Sequence, residues 1–212
     1  MAPQEPLLQK KKKNINIITS EAIELLKQLI AIPSPSRQED KTADHIEFFL
    51  QAKGISVKRL LNNVWCTNKF FDPVKPTALL NSHHDTVAPN SNYTRNPYEA
   101  GIENGKLYGI GSTDAGASLV SLAAAFLYFY EAENLPYNIV FAASAEEEVS
   151  GTNGIEKLFA AETFKALFHH ADCFAIVGEP TQLELAIAEK GLMVLDCTAN
   201  GKPGHAAREE GE

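Results

Sequence analysis

The sequence predicts an α/β fold, with a mostly parallel sheet flanked by helices. One observation predicts this class, and a second predicts a globular chain of one to two domains. Segments whose apolar residues recur at helical spacing alternate with short, almost continuously apolar runs, which is the pattern of strand–helix–strand units. The composition, 44% hydrophobic and 22% charged over 212 residues, is that of an ordinary globular chain with room for one domain and part of a second.

The first two elements are predicted to be helices. Ser20 is a candidate N-cap, and apolar residues follow it at helical spacing up to IPSPS, whose prolines end the helix. Ser36 and Glu39 have the spacing of a capping box that would open a second helix, which Gly54 closes. The chain before the first helix carries a lysine run and no apolar segment of signal-peptide length. Residues 1–19 are therefore predicted to be a disordered basic tail.

Strands are predicted at four short runs rich in apolar residues: ISVKRLL, TALLNS (77–82), YNIVFAAS (137–144) and CFAIVGE (173–179). Between the second and third runs, helical spacing predicts a helix from Asp114 or Ala115 to about Ala132. A shorter helix is predicted near residues 155–160.

The last part of the chain changes in style. LELAIAEKG and LMVLDCTANG have the pattern of two successive strands with no helix between them. We therefore predict one α/β domain over residues 20–188 and the first strands of a second, α+β domain over residues 189–212.

Charge and cysteine content exclude several classes of function. The net charge of -8 argues against a nucleic-acid binder, which needs a basic face. The three cysteines are widely spaced and unpaired in pattern, which fits neither a disulfide framework nor a cysteine zinc site. No apolar stretch approaches the roughly 20 residues that span a membrane. We expect a cytoplasmic chain with no nucleic-acid or membrane partner.

Histidine and carboxylate residues follow three of the predicted strands, and another carboxylate follows a glycine-rich turn. Because parallel strands deliver their carboxyl ends to one edge of a sheet, these groups are expected to meet. A mixed histidine and carboxylate set suits Zn²⁺ or a similar ion, whereas an all-oxygen set would suggest Ca²⁺ or Mg²⁺. Each cluster alone is more simply a solvated strand end, an acidic helix start or a loop; together they indicate a metal site. The clusters are His83-His84-Asp85, Glu146-Glu147-Glu148, Glu179 and Asp114.

Five motifs carry a resemblance to a known family. NSHHDTV, YGIGSTDAG, SAEEEVSGTNG, VGEPT and GKPGHAA, in that order, resemble the successive motifs of the zinc-dependent aminoacylase and peptidase family of the M20 type. This family includes acetylornithine deacetylase, succinyl-diaminopimelate desuccinylase, carboxypeptidase G and aminoacylase-1. The resemblance extends from about residue 20 to the end and is greatest to acetylornithine deacetylase-like members. It implies a di-zinc exopeptidase-like catalytic domain followed by a lid or dimerisation domain.

The resemblance also implies a metal site with two zinc ions, for which Co²⁺ can substitute. His83 and Glu179 would hold one zinc, Asp114 would bridge both, and Glu148 would bind the second. The peptide bond after the bridging aspartate is typically cis in relatives, which implies a cis bond between Asp114 and Ala115.

Three further residues receive catalytic roles from the resemblance. Glu147 would be the general base that activates a metal-bridging water, and Asp85 would steady His83. His205, in the lid domain, would stabilise the oxyanion, in relatives often across a dimer. Adjacent glutamates at a strand end point in different directions, so one can bind metal while the other faces the substrate.

One ligand of the family pattern has no counterpart here. Relatives supply a further histidine to the second zinc near their own C-terminus, whereas this chain ends at Glu212. The resemblance therefore implies a C-terminally truncated chain whose second zinc has only two protein ligands. The other histidines are poorly placed for this role, being on a predicted helix or before a predicted strand: His45, His169 and His170.

The function implied is hydrolysis of the amide bond of an N-acyl amino acid, N-acetyl- or N-succinyl-ornithine in arginine biosynthesis. The alternatives are a dipeptidase or broad aminoacylase of the same family, or a catalytically silent, truncated metal-binding fragment. The expected partner is a small-molecule substrate, and the complete protein is expected to be a homodimer.

Overall fold

The computed structural model describes residues 5–188 together with Leu195, Cys197 and Thr198. The chain divides into two compact units, residues 1–180 and 181–212. All the helices and strands described here belong to the first unit. The helices are α1 (Glu5–Ile30), α2 (Asp40–Gln51), α3 (Ala117–Phe129), α4 (Ile155–Ala160) and α5 (Glu162–Lys165). The strands are β1 (Val57–Leu60), β2 (Asn63–Thr67), β3 (Thr77–His83), β4 (Gly101–Glu103), β5 (Lys106–Tyr108), β6 (Asn138–Ser144) and β7 (Phe174–Val177).

The main sheet has the strand order β1-β2-β6-β3-β7, and β4 and β5 form a separate hairpin. Strand β3 pairs in parallel with β6 and β7, whereas β1, β2 and β6 pair antiparallel. The predicted α/β class with helices flanking the sheet is confirmed. The sheet is mixed. A tight turn joins β1 to β2 and imposes antiparallel pairing between them, and β2 in turn pairs antiparallel with β6.

The sheet is covered on both faces at its central strands β3 and β6, which explains why these two strands are almost continuously apolar. One face packs against α1 and α3, where Leu26, Leu80 and Phe126 are buried together. The other face packs against the segment of α4 and α5, where Leu79 and Phe164 are buried. Leu79 and Leu80 are adjacent in β3 and point to opposite faces of the sheet, as successive side chains of a strand do.

Helix α1 starts earlier than the sequence patterns predict. The tail predicted for residues 1–19 is helical from Glu5 onward, and the predicted N-cap Ser20 lies inside the helix, where its hydroxyl donates to the carbonyl of Asn16. No glycine or proline interrupts the chain between Pro6 and Pro33. A helix nucleated by its packed C-terminal half can therefore propagate backward through lysine, glutamine and leucine, which are good helix formers.

Helix α3 is shorter than predicted and begins at Ala117. By length and composition alone, the window Ser112–Phe129 is a candidate membrane span, with a mean hydropathy of 1.2 over 18 residues, contrary to our expectation of none. The helical part of this window packs against α1 and the sheet and buries Leu119 and Phe126. Core packing therefore accounts for its apolar character.

The predicted strand LELAIAEKG does not form in its described part. Residues 183–188 lie in no strand, and the backbone of Gln182 and Leu183 has positive φ angles of 57° and 67°, which interrupt an extended segment. The second predicted strand, LMVLDCTANG, lies mostly outside the described residues, which include only Leu195, Cys197 and Thr198 of it. The boundary between domains after residue 188 stays a prediction.

The predicted capping box of α2 is wrong. Glu39 occupies the N-cap position without a side-chain cap, and the Ser36 hydroxyl donates instead to Asp85 at 2.7 Å. The carboxylate of Glu39 is fully buried and has no hydrogen-bond partner among the described residues. Burial, followed by the negative charges of Asp85 and Glu146, raises the pKa of Glu39. The backbone N–H groups of Glu39 and Glu146 lie near enough to lower this pKa in part, but neither makes a well-formed hydrogen bond with the carboxylate.

Replacing Glu39 by glutamine is expected to stabilise the fold at neutral pH. Because the pKa of Glu39 in the folded chain lies above its ordinary value of 4.5, its contribution to stability is most favourable below pH 4.5 and is lost as the pH rises through the folded pKa. The free energy of unfolding of Glu39→Gln is expected to exceed that of the unchanged chain by about 1–3 kcal/mol at pH 8, since a buried charge without a hydrogen-bond partner costs more than a buried amide. Urea denaturation at pH 4 and pH 8 measures it, with the exposed Glu99→Gln as the control. An equal effect at both pH values would contradict the prediction.

Candidate metal centre

The carboxyl ends of the parallel strands converge on one edge of the sheet. His83 is the last residue of β3 and lies opposite Ser144, the last residue of β6, in the pairing register. The Glu146–Glu148 segment follows β6 after Ala145, and Glu179 follows β7 after Gly178. The structure therefore brings the ends of three predicted strands together.

Asp114 reaches the same edge from a kink before α3. Within the helical turn Ser112–Gly116, Asp114 and Ala115 have non-helical backbone angles, and the peptide bond between them is cis, as the resemblance implies. Gly111 before the kink has a positive φ of 68°, where a side chain would collide with Thr86. This turn replaces the predicted helix start at Asp114 or Ala115.

Three of the four predicted metal ligands form one compact set. One ligand atom each from His83, Asp114 and Glu179 lie within 4.8 Å of one another. His83 Nε2 is 3.1 Å from Asp114 Oδ1 and 3.8 Å from Glu179 Oε2. The ring of His83 is buried, whereas 55% of the Asp114 side chain is exposed, so the set opens to solvent on the aspartate side. One nitrogen and two carboxylate oxygens at this spacing suit a first-row divalent ion such as zinc.

The other nitrogen of His83 is held by Asp85. His83 Nδ1 is 3.0 Å from the backbone oxygen of Asp85 and 3.4 Å from its Oδ1. Both neighbours are acceptors only, so Nδ1 carries the hydrogen, and Nε2 of the neutral ring keeps its lone pair for a metal. Asp85 is thus placed where the resemblance implies.

Asp85 also holds the segment that carries the predicted base. Its buried carboxylate accepts hydrogen bonds from the backbone N–H of Glu147 at 3.1 Å and of Glu148 at 3.2 Å, besides the one from Ser36. Burial by itself raises the pKa of Asp85, but the hydrogen bonds from His83, Ser36 and Glu147 outweigh it and lower the pKa to about 2. One carboxylate therefore orients both the histidine and the adjacent glutamates.

The electrostatics of the cluster favour a bound cation. Burial by itself lowers the pKa of His83, but the hydrogen bond and charge of Asp85, with the charges of Glu179 and Glu147, raise it to about 9. Burial and the charges of Glu147 and Asp114 raise the pKa of Glu179 to about 7, against the lowering effect of His83. Carboxylates this close repel one another, and a positive charge among them, either a proton on His83 or a bound cation, relieves that repulsion.

Metal binding is expected to displace protons and to strengthen with pH. The stability that His83 contributes to the metal-free fold is fully present below pH 6.5 and lost as the pH rises through about 9, because its folded pKa is raised. A metal bound through Nε2 requires the neutral ring, so the affinity is expected to rise about tenfold per pH unit for each displaced proton between pH 6 and 8. Calorimetry in buffers of different ionisation enthalpy counts these protons; a count of zero at pH 7 would contradict the assignment of His83.

The two adjacent glutamates lie at the mouth of the set. Glu147 Oε2 is 3.6 Å from His83 Nε2, and 53% of its side chain is exposed. Glu148 is half-buried and is not a member of the three-residue set. Burial and the nearby charge of Asp114 raise the pKa of Glu148. Its role as ligand to a second metal stays a prediction.

The remaining histidines lie elsewhere. His84, at the variable motif position, is buried, and its ring contacts the Thr42 hydroxyl and the Asn62 carbonyl, each at 2.9 Å. Burial lowers the pKa of His84 to about 4, so its ring is neutral. Three others do not lie at the carboxyl ends of the strands: His45 is on α2, and His169 and His170 precede the amino end of β7. His205 lies outside the described residues.

Ser36 is a site residue that sequence reasoning missed. It lies 49 positions before Asp85, and its spacing to Glu39 suggested a cap instead. A short parallel bridge between Pro35 and Thr86 brings its segment beside Asp85. The two prolines that precede Ser36, Pro33 and Pro35, prevent helix there and were the available signal of a loop at the site.

Comparison with known proteins gives a consistent family. Residues 79–201 match the family model described as peptidase family M20/M25/M40. The chain is 28% identical over 205 residues to a succinyl-diaminopimelate desuccinylase of Beijerinckia indica, covering 88% of this chain and 51% of the relative. It therefore spans about half the length of that relative.

Two solved structures share the fold. The dipeptidase Dug1p of Saccharomyces cerevisiae superposes with a TM-score of 0.61 at 21% identity, covering 76% of this chain and 39% of that one. A peptidase of Bacillus subtilis, described as a dinuclear metal-binding member of the M20 family, superposes with a TM-score of 0.55 at 19% identity, covering 72% and 42%. At these identities the likeness establishes the fold alone.

Proposed function

This chain belongs to peptidase family M20/M25/M40, and from that premise we propose that it is part of a metal-dependent hydrolase that cleaves the amide bond of an N-acyl amino acid. The observation that carries the proposal is the set of His83, Asp114 and Glu179 with Glu147 beside it. Ligands for a Lewis acid and a free carboxylate at one solvent-open edge are what amide hydrolysis requires.

Zinc is the metal we propose, two ions per complete site, with Co²⁺ as a substitute. The mixed nitrogen and oxygen donors support zinc over calcium or magnesium. When bound, the metal would polarise the scissile carbonyl and lower the pKa of water. His83, Asp114 and Glu179 would hold the first ion; Asp114 and Glu148 would contribute to the second.

Glu147 is proposed to move the proton. Its half-exposed carboxylate faces the solvent-open side of the set and can accept a proton from the attacking water. The water oxygen forms a bond to the carbonyl carbon, the carbon–nitrogen bond breaks, and the same proton passes from Glu147 to the leaving amine. Asp85 keeps His83 and the Glu147 backbone oriented throughout, and His205 is proposed to stabilise the oxyanion from a lid domain.

The finer substrate proposal is N-acetyl- or N-succinyl-ornithine. The desuccinylase relative supports a succinyl group, although it acts on a different amino acid by its name. A dipeptidase or broad aminoacylase is the second candidate, and the fold shared with a yeast dipeptidase is compatible with it. A cytoplasmic location and a homodimeric complete protein are further parts of the proposal.

A substrate panel with metal control tests the proposal. The 212-residue chain, loaded with zinc or cobalt, is incubated with N-acetyl-ornithine, N-succinyl-ornithine and a dipeptide, and released amino acid is measured. Turnover of an N-acyl substrate that a chelator abolishes would support the deacylase. Preference for the dipeptide would favour the second candidate. Metal binding without turnover would favour a silent metal-binding fragment.

A further inference from the structure

We propose that Asn63 is a positioning residue that clamps both ends of the segment carrying Glu147 and Glu148, and so sets where these carboxylates stand relative to His83. The segment, residues 145–153, connects β6 to the turn before α4 and is called the acidic loop here. This inference rests on the proposed function for its catalytic consequence, but not for the clamp itself.

The side chain of Asn63 joins the two ends of the acidic loop. Asn63 is the first residue of β2 and is fully buried. Its Oδ1 accepts a hydrogen bond from the backbone N–H of Ala145 at 3.0 Å, and its Nδ2 donates to the carbonyl of Asn153 at 2.6 Å. Nδ2 also donates to the carbonyl of Leu60, which fixes the amide to its own hairpin. One rigid side chain thus spans the loop where it leaves the sheet and where it returns.

The acidic loop needs such a clamp because its backbone is strained. Glu146 and Ser150 have positive φ angles of 54° and 45°, a region that residues other than glycine rarely adopt. Strained backbone of this kind persists only when the surroundings determine it. A side chain at Gly151 would collide with Glu146, so the loop is also wrapped tightly around the Glu146 carboxylate.

The contacts within the acidic loop do not attach its two ends to the sheet, whereas Asn63 hydrogen-bonds to the backbone at both ends. The Glu146 carboxylate accepts from the Asn153 side chain at 2.9 Å and from its backbone N–H at 3.4 Å, which closes the loop on itself. Asp85 holds the middle, at the N–H groups of Glu147 and Glu148. A loop that is closed and held at its middle can still rotate about its ends. Asn63 opposes that rotation by fixing both ends to the β1–β2 hairpin.

A small rotation would matter for catalysis. Glu147 Oε2 is 3.6 Å from His83 Nε2, and a general base must stay within hydrogen-bond reach of the water it activates. Misplacement by about 1 Å can cost on the order of 10²-fold in rate. Within the described part of the chain, the side chain of Asn63 hydrogen-bonds to the backbone of Leu60, Ala145 and Asn153 and to none of the proposed metal ligands, so its effect would be transmitted through the loop backbone.

The fold offers a matched control. Asn138, at the start of β6 and therefore at the opposite end of the sheet, is also buried and also clamps a loop. Its Oδ1 accepts from the N–H of Asp72 at 2.8 Å, and its Nδ2 donates to the carbonyls of Asp72 at 2.8 Å and Lys75 at 3.2 Å. Asn63→Ala and Asn138→Ala remove the same kind of contacts, but only the first is next to the acidic loop.

Hydrogen exchange with mass spectrometry on the 212-residue chain is the first test. Both alanine variants are expected to lower the melting temperature by about 2–8 °C. Only Asn63→Ala is expected to raise exchange in residues 145–153, by about tenfold or more, under conditions where both variants are folded. Asn63→Asp keeps an acceptor for the N–H of Ala145 but places a second acceptor against the Asn153 carbonyl. The increase in hydrogen exchange of this variant should therefore be concentrated at the Asn153 end of the loop.

Zinc titration and kinetics complete the test. Asn63→Ala is expected to weaken zinc binding about tenfold, as loss of an orienting contact commonly does, and Asn138→Ala to leave it unchanged. Where turnover is measurable, kcat should fall about tenfold or more with KM nearly constant. Equal exchange profiles in the two alanine variants would overturn the proposal and leave Asn63 a purely structural residue. A chain without hydrolase activity would refute the proposed function, while exchange and zinc affinity would still decide the role of Asn63.

Discussion

Glu147→Gln is expected to lower the rate of amide hydrolysis by about 10²–10⁴-fold while the metal content stays unchanged. Glutamine has nearly the same shape as glutamate but cannot accept a proton from water at neutral pH. Glu147 stands beside the three-residue ligand set without belonging to it, and its side chain is half exposed. The loss should therefore fall on proton transfer and not on metal binding.

Steady-state kinetics together with metal analysis of the purified variant measure this effect. Glu156→Gln is a suitable control, because Glu156 is an exposed glutamate on α4, just beyond the acidic loop. A Glu147→Gln variant with the full rate would remove Glu147 from the mechanism. A variant that lost its metal would instead identify Glu147 as a ligand, which its 3.6 Å distance from His83 Nε2 makes a meaningful alternative.

His83→Ala is expected to weaken metal binding by more than about 100-fold. Residues that only orient a ligand typically change metal affinity by 10–100-fold, so removal of a ligand itself should exceed that range. His83 supplies the sole nitrogen of the three-residue set, and its ring is buried between Asp85 and Asp114. Its loss leaves two carboxylates, fewer than the three protein ligands that a catalytic zinc ion normally has.

Thermal unfolding with and without zinc reveals this loss without any substrate. A ligand at 100 times its dissociation constant stabilises a fold by about 2.7 kcal/mol, and His83→Ala should abolish that increment. His45→Ala provides the control, because His45 lies on α2 and is hydrogen-bonded to Gln28 on α1. Undiminished stabilisation of the His83→Ala variant by zinc would mean that the metal binds elsewhere.

The three strand-end motifs show how far sequence reasoning reached into the site. TALLNS and YNIVFAAS are buried on both faces of the sheet, so their apolar runs are nearly continuous and easy to identify. CFAIVGE is also an apolar run, but it forms the end strand β7, whose side chains are exposed in the described part of the chain. Once all three runs are read as parallel strands, His83, Glu147 and Glu179 must meet at one edge. The convergence of these three residues is therefore a consequence of the strand pattern in the sequence.

The errors arose where local pattern and tertiary contact disagree. Ser36 and Glu39 have the spacing of a capping box, but the hydroxyl of Ser36 donates a hydrogen bond to the buried carboxylate of Asp85, 49 positions further along the chain. Residues 5–19 have no strong apolar period, yet they continue a helix whose other half is packed. Both outcomes depend on which groups become neighbours after folding, which no window of sequence contains.

The sequence by itself determined the α/β class, the central strands and the family motifs, because burial and strand geometry act through residues adjacent in the chain. Only the tertiary structure decided that Asp85, expected to steady His83, also holds the backbone of Glu147 and Glu148, and that Asn63 holds both ends of the acidic loop. These hydrogen bonds join residues separated by as many as 90 positions. Their existence depends on distances and angles between elements, and those are set by packing of the whole domain and not by any local preference.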